Sequence, residues 1–111
     1  MIKHWRDTWR RSLLAGHYRQ GFYILRSGDD YYCALGVLAD NLVKAGYGKW
    51  HPRLPTNNLY VYSNNWQNNA LCSQIRKVIG LSYEDQHRII AMNDVRKQTF
   101  AEIAHWIKEN L

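Results

Sequence analysis

The sequence carries little that would staple or cleave anything. Its 111 residues include two cysteines, Cys33 and Cys72, and no CxxC. That spacing supplies neither a zinc ribbon nor a redox dithiol, and free thiols in a reducing cytosol are the expected state. Prolines also number two, Pro52 and Pro55, so the apolar-periodic segments on either side run uninterrupted. No apolar run approaches the ~20 residues of a membrane span. The start, Met1-Ile2-Lys3-His4-Trp5, reaches a charge where a signal peptide would hold its apolar region.

The usual catalytic signatures are missing too. There is no Walker loop, dinucleotide fingerprint, GxSxG or HExxH. The histidines, His4, His17, His51, His87 and His105, are scattered, and none takes a zinc-type spacing with a cysteine. The expectation is a non-enzymatic protein without cofactor or metal. The residual enzymatic candidates are His17 as a general base and Cys33 as a thiol at a helix start. The competing reading of Cys33 is a small buried hydrophobe.

Acidic charge is the minority. Nine Asp and Glu face 15 Lys and Arg, for a net charge of +6. Residues 1–27 hold six of the bases and one acid, so +5 of that total sits in the first quarter. Such a concentration suits an anionic partner: a nucleotide, a nucleic acid or an acidic protein surface. A solvated helix face explains it equally well.

What is abundant is apolar and aromatic material, 46% and 14% of the residues, enough for one core in one domain. Ile2, Trp5, Trp9 and Leu13 recur at three- and four-residue steps, which predicts a helix over 2–15 with the bases on other faces. Further helices are expected over 33–45, 69–79, 83–91 and 99–109. Ser82 with Asp85, and Thr99 with Glu102, read as capping boxes. Short strands are expected near 22–26 and 59–62, with Tyr31-Tyr32 pairing back, while 46–58 reads as a loop. The fold class is α+β: a single helix-rich domain, residues 1–111, with a two- or three-stranded antiparallel sheet. Leu13, Leu35, Val37, Leu38, Leu42, Ile75, Val78, Phe100, Ile103 and Ile107 should form the core.

The candidate ligand site combines aromatics, bases and amides. Tyr18 and Gln20 precede Gly21, whose missing side chain lets a ligand approach the backbone. Arg26 offers a guanidinium fork for phosphate. Tyr62 or Trp66 supplies a stacking face. Asn93 and Asp94 come from a helix end, where they either cap or bind. The same residues also admit a purely structural reading, with Gln20 and Asn93 tying loops together and Asp94 paired to Arg26.

His17-Tyr18-Arg19-Gln20-Gly21, the helix Cys33-Ala34-Leu35-Gly36-Val37-Leu38-Ala39-Asp40, and the ending Asn93-Asp94 with Thr99-Phe100-Ala101-Glu102-Ile103-Ala104 together carry a resemblance. The chain resembles a family of small uncharacterised bacteriophage proteins with Y-x-Q-G, C-x-L-G-V-L-x-D and N-D-x4-[ST]-F-x-E-I-A motifs. The middle, 46–70, matches loosely. Tyr32 stands where members often have a second cysteine, which argues against a dithiol or metal role. The resemblance implies a phage protein in the host cytoplasm. By analogy it implies one that counters host defence by sequestering a nucleotide immune signal without catalysis. The alternatives are an inhibitor of an acidic host protein and a DNA- or RNA-binding protein. A homo-oligomer is compatible with each.

Overall fold

The structure, a computed structural model, describes residues 1–53, 56–60 and 66–111. Five helices carry the core: α1 (Lys3–Leu14), α2 (Ala34–Lys44), α3 (Ser73–Ile79), α4 (Tyr83–Asp94) and α5 (Phe100–Asn110). The expected α+β class holds. All five helices lie where periodicity places them, with shifts at their ends.

Helix α2 is the centre. Ala34 through Leu42 are all buried, including Asp40 and Asn41. Helix α1 lays Trp5, Trp9 and Leu13 against it, and the Trp9 indole Nε1 donates to the Ala34 carbonyl at 2.9 Å. Ile2 does not join that stripe. It sits at the helix start, about half exposed, where its backbone N–H donates to Ile79 O at 3.0 Å. Helix α4 packs on α2, and α5 packs on α1 and α4. Every expected core residue is buried except Val78, which packs partly buried against the cluster.

Caps explain several boundaries. Thr99 and Glu102 form a complete capping box at α5. At α4 only half of the expected box forms. Ser82 Oγ accepts from Asp85 N, while the Asp85 carboxylate takes Arg88 instead. Helix α4 also runs on to Asp94, so Asn93 and Asp94 close its last turn rather than follow it. Helix α3 starts four residues later than expected, because Trp66–Gln67 is drawn into a sheet as β6.

The sheet is larger than expected and mixed. Its other strands are β1 (Arg19–Gln20), β2 (Arg26–Ser27), β3 (Tyr31–Tyr32), β4 (Lys49–Arg53) and β5 (Thr56–Tyr60), in the order β1-β3-β2-β5-β4, with β6 also on β5. The β1–β3 pair is parallel, and Tyr32 pairs back on Arg26 as expected. The strand expected over 22–26 shrinks to its last residue. The loop expected over 46–58 is instead largely a hairpin, with Lys49 opposite Tyr60 and Arg53 opposite Thr56. Pro52 fits there because β4 is the edge of the sheet, where a missing N–H faces no neighbour. No helix among the described residues is long and apolar enough to cross a membrane.

Candidate ligand-binding site

A cleft of about 580 Å³ opens between the end of α1, the turn before β3 and the outer face of α2. Its size falls in the range of small-molecule sites. Arg11, Ser12 and Ala15 come from α1, His17 and Tyr18 from the segment after it, and Arg19 from β1. Asp30, Tyr32, Asp40 and Lys44 complete the wall.

Asp40 organises the floor. A carboxylate on a helix this apolar needs donors, and it has three. The Tyr18 hydroxyl donates at 2.5 Å, Trp50 Nε1 at 2.9 Å, and the Lys44 ammonium lies at 3.3 Å. Burial opposes the Asp40 charge, but the Tyr18 and Trp50 bonds and the Lys44 charge together outweigh it. Its carboxyl is held below the usual carboxylate range. Burial, then the bond to Asp40, push the Tyr18 phenol up. Lys44 is held up by its bond to Tyr18 and the charge of Asp40. Burial drives Tyr32 to about 12. These groups therefore keep fixed charge states near neutral pH.

The sign of this linkage gives a prediction. Asp40 has a lower pKa folded than unfolded, so its contribution is complete above its unfolded value of ~3.9 and is lost as pH falls through the folded one. Thermal melts across acid pH should show parental stability falling below about pH 4, and Asp40→Asn should flatten that limb. An unchanged acid limb would remove Asp40 from this role.

The other acid of the cleft is also paired. Asp30 Oδ1 lies 2.7 Å from Arg26 Nη2. Arg11 and Arg19, by contrast, have no carboxylate partner among the described residues. Arg11 donates to Thr8 Oγ1, while Arg19 donates to the Asp29 carbonyl and lies 4.5 Å over the Tyr31 ring. His17 is exposed beside them.

The residues expected to form one site are divided among three places. Tyr18 lines the cleft. Arg26 lies behind it, its guanidinium 5.1 Å from the Tyr32 ring and 5.3 Å from Trp50, with Asp30 as its ion pair. Gln20, Asn93 and Asp94 meet elsewhere, in a polar junction between β1 and α4. Asn93 is 1% exposed and its Oδ1 accepts from Gln20 Nε2 and Ala34 N, while its Nδ2 donates to Gly21 O and Asp94 Oδ1. Asp94 also accepts from Tyr23 N, not from Arg26. The room at Gly21 is taken by the chain itself, since a Cβ there would stand 2.8 Å from Tyr31 Cβ. Tyr62 lies outside the described residues, and Trp66 is described only through its backbone in β6.

Cys33 caps α2 with its Sγ accepting from Gly36 N, and burial pushes the thiol up to about 12, which leaves it no thiolate near neutral pH. No group of potential metal ligands occurs among the described residues. The sequence signal for the true floor was the pair Asp40 and Lys44, one helical turn apart on an otherwise apolar helix.

A family model described as Domain of unknown function (DUF8296) matches residues 1–111. No curated protein and no solved structure matches the chain.

Proposed function

The chain belongs to the DUF8296 family, and we propose that it binds and sequesters a small anionic ligand of the nucleotide class in the cleft beside α2, without chemistry. The observation that carries this reading is the imbalance in the cleft. Both carboxylates are neutralised internally, while the Arg11 and Arg19 guanidinium groups line it without an ion pair among the described residues, Arg19 lying near the exposed Asp29 outside the cleft wall. Such an excess in a concave, partly apolar wall favours phosphates and attracts them from a distance. Tyr18, half-buried in the wall, supplies aromatic surface for a base.

The biological setting follows from the resemblance to phage proteins. In that setting the ligand is a nucleotide immune signal and the chain acts in the host cytoplasm as a sponge against defence. A sponge must hold its ligand intact, and the fixed protonation states of the floor agree with that.

Calorimetric titration with cyclic dinucleotides, cyclic trinucleotides and cyclic ADP-ribose isomers tests the reading. At least one should bind, and Arg19→Ala should weaken it by about 1.5–3 kcal/mol, the range for a hydrogen bond to a charged group. The ligand should be recovered unaltered after denaturation. Silence across the panel, or turnover of the ligand, would sink the proposal.

A further inference from the structure

A second surface, built from residues 21–23 and 95–97, has no part in the cleft. Phe22 and Tyr23 stand at the surface, 38% and 64% exposed, and Val95, two residues before Lys97, is 78% exposed. Tyr23 has φ +74° and Lys97 φ +53°. A bulky aromatic in the left-handed region is strained, and such strain persists only where the surroundings impose it. The junction described above imposes it. Tyr23 N donates to Asp94 Oδ1 at 2.9 Å, and Asn93 fixes Gly21 O from the interior.

The result is an ordered cation on an aromatic pair. Lys97 Nζ lies 4.0 Å from the Phe22 ring centroid and 4.4 Å from that of Tyr23, and donates to the Tyr23 hydroxyl at 2.9 Å. No carboxylate pairs with it among the described residues. Arg96, the residue before it, is exposed and lines a pocket of about 280 Å³ between α4 and α5 together with Arg88, whose guanidinium also lies 3.4 Å from the Asp85 carboxylate at the surface. We propose that this surface binds single-stranded nucleic acid, with bases on Phe22 and Tyr23 and the phosphate chain along Lys97, Arg96 and Arg88. Aromatic steps beside a track of bases are what such strands need, and stacking accepts any base. Arg96 adjoins Lys97 in sequence and Arg88 across a shared pocket, so the cations are successive neighbours, which suits a polyanion. None of these residues lines the cleft, so separate substitutions test the two surfaces.

Fluorescence anisotropy of labelled 12-mer dT and rU oligomers with the full chain tests this. Three phosphate contacts on a single strand predict roughly a twentyfold loss of affinity between ~50 and ~200 mM salt. Tyr23→Ala should weaken binding about 5- to 150-fold, and Tyr23→Phe should restore it. Lys97→Gln, which leaves the backbone bond to Asp94 in place, should lower the salt slope by about 0.7. Arg11→Gln and Arg19→Gln in the cleft should weaken oligomer binding less than either Tyr23→Ala or Lys97→Gln. No binding of either oligomer at ~50 mM salt overturns the proposal. So does binding that ignores Tyr23→Ala and Lys97→Gln, or that follows Arg11 and Arg19 instead.

Discussion

Gly36→Ala is expected to move the urea unfolding midpoint far below that of the parent. Gly36 lies in the first turn of α2, and a Cβ there would stand 1.8 Å from the Leu25 carbonyl oxygen and 2.6 Å from its carbon. Both are backbone atoms, so no rotamer change relieves the clash. Nor is Leu25 free to retreat. Its N–H donates to Asn68 O at 2.6 Å, its carbonyl accepts from Cys33 N at 3.3 Å, and its side chain is fully buried. Overpacking by one methyl ordinarily costs about 1–3 kcal/mol. Here a main chain must move against α2, and more than about 4 kcal/mol is expected, a large part of the ~5–15 kcal/mol that holds a domain together. Urea titration followed by tryptophan fluorescence measures it. A Gly36→Ala variant with a midpoint near that of the parent would show that α2 and Leu25 are not in contact.

Asn93→Ala should be the next most damaging change, at about 3–5 kcal/mol. Asn93 satisfies four partners, Gln20 and Gly21 at the end of β1, Ala34 at the start of α2 and its own neighbour Asp94. Alanine strands the buried Ala34 N–H and removes partners from the part-buried Gln20 amide and Gly21 carbonyl, and each buried orphan costs about 1–3 kcal/mol. Gln20 keeps one bond, to Gln98 O at 2.8 Å, which limits the loss. Differential scanning calorimetry gives the magnitude. Ligand titration at a temperature where the variant is folded gives the role. A purely structural Asn93 leaves affinity in the cleft intact, whereas lost affinity in a folded variant would return it to the binding site.

The contrast between these residues and the cleft shows what the sequence disclosed. Helices were legible because their faces repeat. Trp5, Trp9 and Leu13, or Phe100, Ile103 and Ile107, announce a buried side whatever lies opposite. The small sheet was less so. Two-residue strands carry no alternation to detect, and Pro52, Asn57 and Asn58 read as loop residues although β4 and β5 pair across them. Pairing that depends on a neighbour distant in sequence leaves little local trace.

The polar residues divide along the same line. Gln20 and Asn93 were recognised as belonging together, and they do touch, 2.9 Å apart. Their chemistry alone does not say whether an amide faces a ligand or its own backbone, and 73 residues separate the two. Asp40 and Lys44 were passed over as members of a buried helix. Only the fold shows that Tyr18 and Trp50, from opposite sides in sequence, converge on that carboxylate.

The packing of α1 against α5 also sets a timetable. Trp5 and Trp9 face α2, and α5, which packs on α1 as well, begins only at Phe100. At about 5–20 residues per second, roughly 5–20 s pass between the synthesis of α1 and that of α5. Through that interval α1 has α2 to pack on but lacks α5. Closure of the core around α1 therefore waits for the segment after Thr99, and until then part of a strongly basic helix is open to chaperones that hold nascent chains.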